Sequence, residues 1–117
     1  MHEMSVSAAI VDTAVKHAAG RRVTMVNVRL GKLRQVVPDS LEFFFDLVAR
    51  DTVCEGAVLR HELVAAWLHC EPCGSDWEIE QPAFRCPGCG GSEVQVLSGE
   101  ELEVESIEVD TEAPCIA

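Results

Sequence analysis

The sequence predicts an α+β fold: two helices packed on a small three-stranded sheet, with an inserted four-cysteine ribbon lobe. Three observations carry this. Apolar residues recur at three- and four-residue steps from Met4 to Ala18 and from Leu41 to Val48. Apolar and polar residues alternate within Arg22–Leu30 and Gly99–Asp110, and Ala57–Ala66 reads as a further strand. Two C-x-x-C pairs, Cys70/Cys73 and Cys86/Cys89, fall between the second and third of these strands. The order is helix, strand, helix, strand, cysteine lobe, strand. This gives an α+β domain of residues 1–66 plus 97–117 and a lobe of residues 67–96.

In the first helix, Met4, Ala8, Val11, Val15 and Ala18 make the apolar face. Gly20 stops it, Lys16 and His17 suit its negative end, and Glu3 suits its positive end. In the strand that follows, Val26, Val28 and Leu30 fall on one side, with Met25, Asn27 and Arg29 on the other. Gly31 to Val37 is a connection. Pro38 sits in the opening turn of the second helix, where its missing N–H costs nothing. Leu41, Phe44, Phe45 and Val48 form that helix's apolar face, ending near Asp51. Phe43, Phe44 and Phe45 in a row call for a wide buried face; an exposed one would mark a partner contact.

The second strand, Ala57–Ala66, runs into the lobe through Trp67 and His69. In the last strand Leu102 and Val104 alternate with Glu101, Glu103 and Glu105, and a β-bulge absorbs the slip of phase before Ile107. The tail from Thr111 to Ala117 is expected to be loose.

Twelve residues, Gly74 to Arg85, separate the two cysteine pairs. A C-x-x-C turn places two sulfurs on one edge of a tetrahedron, and two such turns close it around a metal with Zn–S near ~2.3 Å. Gly74 and Gly90 follow the second cysteine of each pair, where the turn calls for positive φ, and Pro72 and Pro87 stiffen the turns. The start of the chain has no basic segment followed by an apolar one, so a reducing, cytoplasmic setting is expected and disulfides are not. A doubled pair in a Gly/Pro-rich segment is unlike a lone redox C-x-x-C. The expected fold class is therefore a zinc-ribbon lobe, with iron in a rubredoxin-like site as the alternative. Four protein ligands close the coordination sphere, so the zinc is expected to be structural. The segment between the pairs is poor in apolar residues, and metal binding is expected to supply its folding free energy.

Formal charge is −11, from 20 acidic and 9 basic residues. Between Trp67 and Val96 there is one basic residue, Arg85, against Glu71, Asp76, Glu78, Glu80 and Glu93. Phosphate neutralisation needs clustered Lys and Arg, so nucleic acid is excluded as a partner. No apolar run approaches the ~20 residues of a membrane-crossing helix, and no membrane association is expected.

The chain start offers a second donor set. A bulky second residue keeps Met1 in place, so the Met1 amine, the backbone amides of His2 and Glu3 and the His2 imidazole lie within three residues. Ni(II) and Cu(II) favour such square-planar nitrogen coordination; zinc does not. The Glu3 carboxylate would add an oxygen ligand or orient the imidazole. The competing reading is an exposed terminus with no role. His17 is expected to face solvent and His61 to lie on a strand. His69 stands beside Cys70 as a possible substitute ligand. No nucleophile–base pair, phosphate loop or open metal site suggests an enzyme.

MHEMSV at the start, VRLGKL, VVPDSLEFFFDLVARDT, the knuckles CEPCG and CPGCG, and SGEELEVESIEV together resemble the HypA/HybF family over Met1 to about Asp110. Those proteins are nickel chaperones of [NiFe]-hydrogenase maturation. The resemblance implies a nickel site at Met1, His2 and Glu3, with His2 essential, which makes the α+β domain the nickel-binding one. It implies structural zinc at Cys70, Cys73, Cys86 and Cys89. It also implies a HypB-like GTPase and the hydrogenase large-subunit precursor as partners, with urease maturation proteins in some bacteria. Cys54 and Cys115 depart from the pattern. Cys54 is expected to be a small buried residue and Cys115 a free thiol in the tail. A zinc-ribbon interaction module without nickel transfer is the alternative reading.

Overall fold

The computed structural model describes residues 2–110. They divide into two compact units. Among the described residues, one comprises those up to Arg29, Val36–Glu62 and those from Glu103 on; the other comprises Leu30–Gln35 and Leu63–Leu102. The second unit is thus wider than residues 67–96 and takes in a short stretch from well before the cysteines.

In the first unit, α1 (His2–Ala18) packs on α2 (Pro38–Ala49). A three-stranded sheet, β1 (Val23–Gly31), β2 (Val58–Val64) and β6 (Leu102–Val109), runs in the order β2-β1-β6. This bears out the two helices and the first sheet. Ala19 and Gly20, both at positive φ, end α1 as the glycine signal predicts.

The buried face of α1 differs from the one its apolar spacing suggests. Ile10, Val11, Ala14 and Ala18 are buried together with Glu3 and Ser7, while Met4, Ala8 and Val15 are exposed. The reason lies in the two polar residues. Ser7 Oγ donates to the carbonyl of Leu41 at 3.1 Å. Glu3 Oε2 accepts the backbone N–H of Val37 at 3.0 Å. A polar side chain with a partner can be buried at little cost, so the true stripe contains residues that an apolar count discards.

Pro38 opens α2 directly after its cap residue Val37, as expected. Leu41, Phe45 and Ala49 are its buried residues, with Phe44 and Val48 half-buried beside them. Phe43 is 63% exposed and meets Phe44 edge-on, ring centroids 5.2 Å apart. His61 of β2 stands 4.0 Å from Glu42 of α2. In β6 the alternation of burial slips at Glu105 and Ser106, where the sequence places its change of phase. Cys54 is fully buried, and loss of solvation raises its thiol pKa.

The second unit contains a sheet the sequence reading did not anticipate. β3 (Ala66–Cys70) is flanked by β4 (Asp76–Ile79) and β5 (Val94–Ser98), antiparallel on both sides. Leu68 lies opposite Trp77 on one side and Val96 on the other. Ala66, Leu68 and Ile79 make a small buried cluster, against which Leu33, Trp77, Val94 and Val96 pack. The stretch judged too poor in apolar residues thus contributes Trp77 and Ile79 to a core. The signal was a period-two alternation only four or five residues long.

Two glycines let the chain cross itself in this unit. A Cβ on Gly31 would lie 1.9 Å from the carbonyl oxygen of Gly99, and one on Gly99 would lie 2.7 Å from Ala66. At that crossing Gly31 donates to the carbonyl of Glu101 at 2.7 Å and Leu33 to that of Gly99 at 2.8 Å.

Candidate metal centre

Cys70 is the last residue of β3, so one sulfur is fixed to the sheet. The chain then turns through two knuckles with the same internal hydrogen bonds. Gly74 N–H donates to Cys70 carbonyl at 2.8 Å, and Gly90 N–H to Cys86 carbonyl at 2.8 Å. Cys70 N–H donates to Ser75 carbonyl at 2.8 Å, and Cys86 N–H to Gly91 carbonyl at 3.0 Å. Gly74 (φ 71°) and Gly90 (φ 73°) take the positive φ that the sequence predicts for them.

The four sulfurs converge. Their Sγ atoms all lie within 4.8 Å of one another. Across the knuckles Cys73 and Cys86 are 3.4 Å apart, and Cys70 and Cys89 are 3.6 Å apart. A tetrahedron with ~2.3 Å metal–sulfur bonds has sulfur–sulfur edges of ~3.8 Å, so the cluster is the size of a tetrathiolate metal site. Cys70 and Cys86 are buried; Cys73 and Cys89 are exposed.

Crowding splits the thiols. Cys86 falls to about 6, chiefly through the backbone N–H of Cys89, with help from Gly88, Cys73 and Ser75. For Cys70 the backbone N–H of Cys73 pulls downward, but burial and hydrogen bonding among the other sulfurs push it up to about 12. Cys86 is thus poised to ionise near neutrality while Cys70 holds its proton, which metal binding would displace. Ser75, which the sequence reading passed over, places its hydroxyl 3.1 Å from Cys73 Sγ and 3.8 Å from Cys86 Sγ. Its position directly after the Gly74 turn was the available signal.

His69 does not join the cluster. Its Nδ1 meets Asp76 Oδ1 at 2.5 Å across the β3–β4 register, and that carboxylate raises its pKa. Of the residues at the chain start, Met1 lies outside the described residues, and so does the side chain of His2, whose backbone begins α1. Cys115 lies outside them too. Glu3 is described: its carboxyl pKa is lowered, first by the Val37 N–H, and partial burial opposes this. The positive end of α2 favours the same charged form.

Residues 1–109 match the family model described as hydrogenase/urease nickel incorporation, metallochaperone, hypA. The chain belongs to the HypA family. HypA relatives include the hydrogenase maturation factor HypA of Geotalea uraniireducens, 44% identical over 110 residues that cover 94% of this chain and all of the relative. The HypA of Streptomyces avermitilis is 45% identical over 112 residues, covering 92% of this chain and 86% of the relative. The solution structure of the Ni metallochaperone HypA from Helicobacter pylori has the same fold, with TM-score 0.68 at 22% identity, covering 93% of this chain and 97% of that one. HypA is a metallochaperone family, and this chain brings four cysteine sulfurs together in a group that could hold a metal ion. No helix among the described residues is long and apolar enough to cross a membrane.

Proposed function

We propose that this chain captures Ni(II) at Met1, His2 and Glu3 and delivers it to the [NiFe]-hydrogenase large-subunit precursor, while Cys70, Cys73, Cys86 and Cys89 hold a structural Zn(II). The observation that supports this best is the family match, which begins at residue 1 and so takes in the Met-His-Glu start. The chain acts as a carrier rather than a catalyst, in the cytoplasm. A HypB-like GTPase is its working partner, and urease maturation proteins are further recipients.

The chemistry follows from the donors. The Met1 amine, the amides of His2 and Glu3 and the His2 imidazole form a nitrogen set that suits Ni(II). Glu3 holds the third residue against the start of α2 through Val37 and contributes an anionic carboxylate beside the cargo. An open donor set at a chain end favours handover, because incoming ligands attach before the old ones leave. At the four sulfurs, zinc would supply a cross-link between the two knuckles.

The test is Ni(II) titration of the native protein beside a variant with one extra residue before Met1. The extension moves the amine out of register and leaves the fold intact. The expected result is loss of nickel affinity with zinc content unchanged. Equal nickel affinity in both proteins would overturn the proposal.

A further inference from the structure

β3 is the central strand of the sheet β4-β3-β5, and its side chains alternate between two faces. Ala66 and Leu68 take the inner face, in the small core with Ile79. Trp67 and His69 take the outer one. Directly opposed residues in an antiparallel pair share a face, which adds Glu78 and Asp76 from β4 and Ser98 and Gln95 from β5. On β5 the register slips. Trp67 pairs with Ser98 while Leu68 pairs with Val96, so Leu97 is an extra residue, a β-bulge. A bulge re-aims a side chain, and here Leu97 is left 52% exposed beside a Trp67 that is itself 40% exposed.

The charge around this pair has one sign. No residue of β3, β4 or β5 is Lys or Arg. Glu78 is exposed and makes no ion pair among the described residues. Exposed Glu71 and Glu93 border the knuckle end of the sheet, where Glu71 N–H donates to the Glu93 carbonyl at 3.2 Å. An aromatic ring and an aliphatic side chain thus stand in the open among carboxylates.

We propose that this outer face docks a protein segment that carries arginine next to a large apolar side chain. The arginine stacks on the Trp67 indole and pairs with Glu78, and the apolar side chain covers Leu97. A guanidinium suits both contacts, because its plane lies on an aromatic face while its forked N–H groups meet a carboxylate; an ammonium does this less well. Trp and Arg are also the side chains that most often dominate protein contacts. The same carboxylates repel phosphate, so neither nucleic acid nor an anionic lipid surface fits. All of these residues lie in the second unit, and docking there requires no nickel.

The experiment is NMR titration of the full chain, zinc-loaded, with four short synthetic peptides centred on Arg-Leu-Arg, Lys-Leu-Lys, Arg-Ser-Arg and Glu-Leu-Glu. The indole N–H signals of Trp67 and Trp77 are followed separately. The Arg-Leu-Arg peptide should move the Trp67 indole signal and the β3 and β5 amides, and added salt should weaken it. Lys-Leu-Lys and Arg-Ser-Arg should each bind more weakly, and Glu-Leu-Glu not at all. Trp67→Ser should lower the affinity for Arg-Leu-Arg about tenfold, with zinc content and helical circular dichroism unchanged. Leu97→Ser gives a second arm that leaves the indole in place: it should erase the preference for Arg-Leu-Arg over Arg-Ser-Arg. Absence of Arg-Leu-Arg binding would overturn the proposal. So would shifts spread over the acidic surface without Trp67, equal affinity for Arg-Leu-Arg and Arg-Ser-Arg in the native protein, or undiminished binding by a folded Trp67→Ser variant.

Discussion

Glu3 and Val37 are thirty-four residues apart in sequence and joined by a hydrogen bond of 3.0 Å. Val37 caps α2 without a side-chain hydrogen bond of its own, so the carboxylate at the start of α1 serves the start of α2. Residue 3 is therefore structural whatever else it does. Glu3→Ala should lower the melting temperature, and Glu3→Gln, whose amide oxygen still accepts, should recover most of the loss. The contribution also depends on pH. The folded pKa lies below the ordinary value of 4.5, so the stabilisation is full above 4.5 and disappears as pH falls through the lower folded value. Melting of native and Glu3→Gln proteins across that range would check the sign, because the difference between them should shrink in acid.

Ser7 is the second polar anchor between the helices. It is wholly buried and donates to Leu41. Ser7→Ala removes one buried hydrogen bond without adding bulk. It should cost about 1 kcal/mol in urea denaturation. A neutral result would mean that the Ser7–Leu41 bond adds nothing to the stability of the helix pair.

Gly31→Ala tests the crossing in the second unit. The added Cβ would meet backbone atoms of Gly99 at 1.9 and 2.0 Å, and backbone cannot swing aside as a side chain can. Overpacking of this kind costs roughly 1–3 kcal/mol and occasionally more. The upper end or beyond is expected here, with amide exchange speeding up first at residue 31 and Leu33, whose N–H groups donate at the crossing. Gly56→Ala, where no atom lies within 4 Å but φ is positive, should be much milder.

The cysteine cluster predicts a pH threshold for metal uptake. Cys86 is the thiol whose pKa its backbone N–H partners pull down, to about 6. Zinc uptake by the metal-free chain should slow as pH falls through about 6, and Cys86→Ser should move the threshold upward. Stopped-flow measurement with a zinc-sensitive dye would follow it. Cys73→Ala should abolish stable metal binding and loosen the knuckles, while α1 and α2 keep their helical circular dichroism.

The sequence made some parts of this architecture plain and concealed others, for identifiable reasons. The knuckles were legible because four cysteines, two glycines and two prolines repeat one local geometry. α2 and β1 were legible because their apolar residues dominate. The face of α1 was misread because Glu3 and Ser7 are buried through bonds to Val37 and Leu41, partners that no local pattern reveals. β4 and β5 were missed because each offers only two apolar residues to the core, Trp77 with Ile79 and Val94 with Val96, beneath the noise of a short window. Ser75 was overlooked because a serine after a glycine is common in any turn.

Cys54 has a consequence for metal traffic. An exposed thiolate is a ready ligand for soft and borderline cations, and burial removes Cys54 from that role. Cys54, the one of the five described cysteines outside the metal cluster, is sealed in the interior, and desolvation raises its thiol pKa. The fold thus withholds one competent sulfur donor from any cation that reaches its surface.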